Sequence, residues 1–205
     1  MIMAIQINGS GTITGVSSGG LPAGSVTTAT LADGAATGSK LGAGSILQVI
    51  QTYRTSIFEE EVTVGNFSSA VMTASITPTS TSNKILVLCT LHISTGNTGG
   101  ANQTNACQAV VKRDGTAIGV GDAAGNRVRS TGAGIGSSNT NRLQSNVHMT
   151  FLDSPSSTSA LSYTAHIKPG FNGTQYVNLN KEQSDSDLSS VGRSASSITL
   201  MEVAA

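Results

Sequence analysis

The stretch KILVLCTLHIS, residues 84–94, decides how the rest of the chain is read. Ile85, Val87, Cys89, Leu91 and Ile93 fall on one side of an extended strand, and Leu86 and Leu88 fall on the other. A strand apolar on both sides has to be covered on both sides. The spacing therefore predicts two covers: a facing sheet of the same domain, and a neighbouring subunit over Leu86 and Leu88.

Working outward, the same texture recurs in shorter pieces. Upstream lie ILQVIQTYR (46–54), then Val62–Val64 after the run Glu59–Glu61, then Val71–Ile76 after the turn signal Gly65-Asn66. Downstream, Cys107, Ala109 and Val111 alternate with polar neighbours, and Arg113-Asp114-Gly115-Thr116 is a two-residue hairpin signal. Val147, Met149 and Phe151 alternate with His148 and Thr150; after the turn DSPSSTS (153–159), Leu161, Tyr163, Ala165 and Ile167 do the same. The two strands flanking that turn are expected to form a hairpin, with His148 and His166 on one side. Thr174–Asn180 and Ser197–Val203 complete the set, and a short strand is predicted at Arg127–Arg129. Loops are expected over 95–106, 119–142 and 181–192. Eight or nine short strands with close turns, and no amphipathic helix, predict an all-β fold. The expected form is an antiparallel, jelly-roll-like β-sandwich over residues 46–205.

Residues 1–45 read differently. Leu21, Leu31 and Leu41 recur every ten residues, with Gly24, Gly34 and Gly44 three places on; Val26 and Ile46 occupy matching apolar positions. A strict period with turn glycines marks a repeat unit that cannot bury its own apolar face. The arm is therefore expected to be extended and intertwined with copies of itself, with Leu21, Val26, Leu31, Leu41 and Ile46 packing around a three-fold axis; a flexible Gly/Ser/Thr linker is the alternative. Ile5, Ile7 and Ile13 suggest strand fragments before it.

Composition limits the partners. Charged residues are 11% of the chain and the formal net charge is zero, so nothing draws it to nucleic acid. No apolar run approaches membrane-spanning length, so no membrane insertion is expected, and MIMAIQI lacks the basic flank of a signal peptide. Aromatics are 3% with no tryptophan, a thin supply for a core of this size that sharing an interior between subunits would supplement. Cys89 and Cys107 both lie in apolar strands and are expected to be buried free thiols.

The ordered set GSGTITGVSSGGLPAGSVTTATLADGAATGSKL, ITPTSTSNKILVL, VVKRDGTAIG, FLDSPSSTSALSYTAHI, QYVNLN and SSITLMEV resembles bacteriophage tail fibres and related virion fibre proteins. The resemblance implies a homotrimer in the virion, made in the host bacterial cytoplasm. Residues 1–45 would attach to other virion proteins, and a C-terminal knob would bind a host-surface glycan or protein. The chain is short for a fibre: three decads span at most about 100 Å when fully extended. A capsid decoration, cement or head-fibre role is the alternative.

Within the knob, Leu86, Leu88, Val147, Phe151 and Tyr163 are the expected core or interface residues. Phe171 and Tyr176 are the candidate receptor contacts, since an aromatic ring can stack on a sugar. No catalytic, cofactor or metal site is expected. Gly34–Lys40 has the wrong spacing for a phosphate loop, and no nucleophile elbow occurs. Asp185 and Asp187 lack the pinned loop and bidentate acid of a calcium site. Asp114, Asp122 and Asp153 each fit a turn or a glycine-rich loop better than a glycosidase pair.

Overall fold

The computed structural model describes residues 6–7, 13–14, 41–97, 106–135, 144–170 and 173–205. It divides into two units, Met1–Leu41 and Gly42–Ala205. In the first, β1 (Gln6–Ile7) pairs antiparallel with β2 (Ile13–Thr14), Ile7 opposite Ile13. The repeat positions Leu21, Val26 and Leu31 lie outside the described residues. Leu41 is 41% exposed.

The second unit holds eleven strands, all paired antiparallel, and no helix among the described residues. They are β3 (Ile46–Arg54), β4 (Phe58–Thr63), β5 (Met72–Ile76), β6 (Lys84–Asn97), β7 (Ala106–Arg113), β8 (Thr116–Ile118), β9 (Gly132–Ile135), β10 (Ser145–Asp153), β11 (Leu161–Pro169), β12 (Thr174–Leu179) and β13 (Ser196–Val203). The large sheet is built on β6. One edge of β6 pairs with β10; the other pairs with β13 along Lys84–Thr90 and with β12 along Ile93–Asn97. β3 then flanks β13, and β4 flanks β12. The small sheet runs β5–β11–β7, with β9 and β8 following one another along the far edge of β7, at Ala106–Ala109 and Val111–Arg113. Both sheets feed one core, an arrangement consistent with a β-sandwich.

The alternation read from the sequence sets the core. Ile85, Val87, Cys89, Leu91 and Ile93 are buried, and they meet Val111, Tyr163, Ala165 and Ile167 of the other sheet in one apolar cluster. Each such side chain contributes about 1.5–3 kcal/mol by leaving water. Both cysteines are free and buried, and burial pushes each thiol up to about 12. Asp114 and Gly115 take φ of 47° and 84°, the left-handed pair that a tight hairpin between β7 and β8 demands.

Four expectations are corrected. β10 and β11 do not form a hairpin: the turn after Asp153 carries the chain from the large sheet to the small one. Both strands turn their apolar sides inward, which puts them in opposite layers. His148 therefore bonds Thr90 on one sheet, and His166 bonds Thr164 and the Ser68 carbonyl on the other. Arg127–Arg129 is not a strand, because Arg129 donates to the Gly121 carbonyl within the loop. The strand in that region is Gly132–Ile135 instead. There a Cβ on Gly132 would sit 2.8 Å from Val147 Cγ1, so glycine is what admits β9 beside β10. Finally, Glu59–Glu61 lie inside β4: Glu60 accepts from the Ser69 amide and hydroxyl, and Glu59 pairs with Lys181.

Candidate functional site

Cross-strand partners in an antiparallel sheet share a face. On the outer face of the large sheet the register aligns Leu152 of β10, Leu86 of β6, Met201 of β13 and Val49 of β3 in one row. The next row is Thr150, Leu88, Thr199 and Gln51; on the other flank, Val203 stands beside Ile46. Val49 is 53% exposed, Leu152 49% and Ile46 44%, whereas Leu86, Leu88, Met201 and Val203 are half-buried. Among the described residues no other segment covers this end of the sheet. Exposed apolar side chains gathered in one row make this face the candidate interaction surface.

The opposite end of the same face is closed. The segment after β12 folds back over it: the Ser94 hydroxyl donates to the Lys181 carbonyl at 3.0 Å, and Lys181 Nζ reaches Glu59 at 2.5 Å. The Gln183 side chain lies so close to Gly96 that an added Cβ would be 2.5 Å from its Cγ. Tyr176, a candidate receptor contact, is 37% exposed on this face, opposite Gly96 and Glu61. Phe171 lies outside the described residues, as do 98–105 and 136–142 of the expected loops.

Of the other expected residues, Val147 and Tyr163 are buried in the core, and Phe151 packs on its margin against Gly119. Tyr163 also carries a polar connection that hydrophobicity alone does not reveal. Its hydroxyl donates to Asp153 at 2.7 Å, and Arg113 Nη1 donates to both oxygens of the same carboxylate. Burial and the Asp153 charge raise the Tyr163 phenol well above its ordinary range. Burial works against the Arg113 charge, but Asp153 outweighs it and raises the guanidinium further.

A second acid lies in the same inner row. Asp153, Ile85, Glu202 and Gln48 are aligned across β10, β6, β13 and β3. Glu202 is fully buried and accepts from the Thr79 amide (2.6 Å) and hydroxyl (2.8 Å), Asn83 Nδ2 (2.7 Å) and Gln48 Nε2 (2.6 Å). Burial pushes this carboxyl up, the four donors pull it down, and the net direction is down. It is thus held ionised, the wrong state for a general acid. Both carboxylates staple the end of the sandwich: one ties the two sheets together, and the other pins residues 79–83 to the last strand. No cluster of three His, Cys, Asp or Glu side chains that could hold a metal occurs among the described residues.

No family model matches the chain, and no curated protein matches it in sequence.

Proposed function

We propose that the chain is a structural component of a bacteriophage virion fibre, acting as a homotrimer. Residues 46–205 form the jelly-roll-like knob, and residues 1–45 form an intertwined arm held by other virion proteins of the tail. The observation that carries this reading is the uncovered row Leu152–Leu86–Met201–Val49. The subunit closes its own core yet leaves an apolar surface on the back of its most central strand. Burying such a surface against copies of the same chain is how oligomers of thin-cored subunits gain stability. The ten-residue repeat supports the arm, and the tight structural use of Asp153 and Glu202 supports a non-catalytic role. The knob would present Tyr176, Phe171 and the neighbouring polar loops to a host-surface glycan or protein.

Sedimentation equilibrium of the full chain tests the assembly: the expected mass is three times that of the chain, and a monomer at micromolar concentration refutes it. Antibody labelling of intact particles tests the location. Label on the tail supports the fibre; label confined to the head moves the protein to capsid decoration.

A further inference from the structure

The large sheet ends in three edge strands, and they are not alike. β4 is blunted: Glu59, Glu60 and Glu61 follow one another along it, and charge on an edge keeps strands from pairing there. β3 (ILQVIQTYR) and β10 (SNVHMTFLD) hold no proline, and the one Arg or Asp in each stands last. Both of those charges are spent within the copy. Arg54 donates to the carbonyls of Ser56, Ile57 and Val71, and Asp153 accepts from Arg113 and Tyr163. Among the described residues β3 pairs only with β13 and β10 only with β6, which leaves the other backbone edge of each without a strand.

Two apolar rows run out to both of these edges. The outer row, Leu152–Leu86–Met201–Val49, ends in two side chains that are about half exposed. The next row, on the inner face, is Phe151–Val87–Leu200–Ile50. Val87 and Leu200 are sealed, whereas Phe151 is half-buried and Ile50 is 37% exposed although it shares the face of Leu200. A strand added beside β3 would cover Ile50 on the inside and Val49 on the outside at once. A partner laid flat on the outer face would cover only Val49.

Strand direction selects the partner. Each neighbour in β10–β6–β13–β3 is antiparallel, so β10 and β3 run in opposite directions. Copies rotated about an axis along the strands therefore set β10 of one beside β3 of the next as antiparallel neighbours. Continuing the rows puts Leu152 against Val49, Phe151 against Ile50 and Thr150 against Gln51, apolar on apolar and polar on polar, with no free charge on either side to repel. The contact is heterologous, and a third of a turn per copy closes it into a ring.

We infer that the knobs join through their sheets: the free edge of β3 in one copy receives the free edge of β10 of the next copy as an antiparallel strand. This rests on the homotrimer proposed above and adds to it the joining edges and their register.

Cysteine pairs test the inference. Within one copy Val49 and Leu152 are three strand spacings apart, about 14 Å. A disulfide spans about 7 Å between Cα atoms at most, so a bond between these positions joins two copies. The full chain carrying Val49→Cys with Leu152→Cys, oxidised and run without reductant, should give covalent dimers and trimers, and either substitution alone should give none. Val49→Cys with Thr150→Cys and Gln51→Cys with Leu152→Cys cover a slip of two residues in either direction. Cys89 and Cys107 are buried and do not compete. Hydrogen exchange of the unmodified chain is the second measurement: alternate amides of β3 and β10, unpaired within one copy, should exchange slowly in the trimer. A trimer by sedimentation in which all three pairs stay unlinked, or in which those amides exchange fast, overturns the edge pairing and leaves the trimer standing. A monomer overturns both. Covalent dimers from a single-cysteine variant reveal a two-fold edge contact and overturn this one.

Discussion

The two ends of one sheet face carry opposite solutions to the same problem. Where β6 pairs with β12, Ser94 and Asn178 are covered by the chain itself, through the 181–193 segment. Where β6 pairs with β13, Leu86, Leu152, Met201 and Val49 have no such cover among the described residues. Polar groups under a lid must find partners within the subunit, so that end is rich in hydrogen bonds and short of donors. Apolar groups need only the exclusion of water, which a second copy supplies equally well. The difference separates an end that the chain covers itself from an end that the described residues leave apolar and open.

Breaking the open end should give the largest effect. Leu88→Asp puts a charge in the middle of that face; the proposed trimer should dissociate to folded monomers, with the stability of the single chain changed by less than about 1 kcal/mol. Light scattering together with circular dichroism checks it. An assembly that survives Leu88→Asp unchanged removes the open end from the interface.

Glu202→Ala strikes directly behind the open end, on the inner face. It strands the Thr79, Asn83 and Gln48 donors and should cost about 2–4 kcal/mol in denaturant unfolding. A loss of that size without a change in oligomer mass would separate the inner staple from the outer surface. At the closed end, Gly96→Ala forces Gln183 aside; because that side chain is flexible, the cost should be about 1 kcal/mol. The 181–193 segment should become more sensitive to protease, and the open end should be untouched.

Acid sharpens the contrast least but still resolves it. Burial lowers the His166 imidazole below its ordinary value, against the pull of the Ser68 carbonyl, so the unfolded chain takes up a proton first. Stability should fall as pH drops below about 6.5. Glu202 is also held down, so its contribution is intact above about 4.3 and is lost as pH falls further. Melting temperatures across pH should show both losses. His166→Gln should erase the upper one and Glu202→Gln the lower one.

Much of this fold was legible in the sequence because alternation is a local property. Residues two apart share a face whatever their neighbours, so Ile85 to Ile93, Cys107 to Val111 and Leu161 to Ile167 declare their strands unaided. The same alternation marked Leu86 and Leu88 as a second apolar side, and the hairpin at Asp114-Gly115 declares itself by its need for positive φ. Pairing is not local. The edge of β6 that β10 takes could as well have gone to another strand, and only packing the apolar sides of β10 and β11 toward each other sends His148 and His166 to different layers. β9 was hidden because its glycines carry no pattern; they are there for Val147 and Met149, which come later in the chain. The fates of the buried acids were hidden too. Glu202 depends on Thr79, 123 positions away, and Asp153 on Arg113, 40 positions away. A charged side chain in a strand reads as solvent-facing until the tertiary fold brings donors to it, because the cost of burying a charge is met only by groups that the fold assembles.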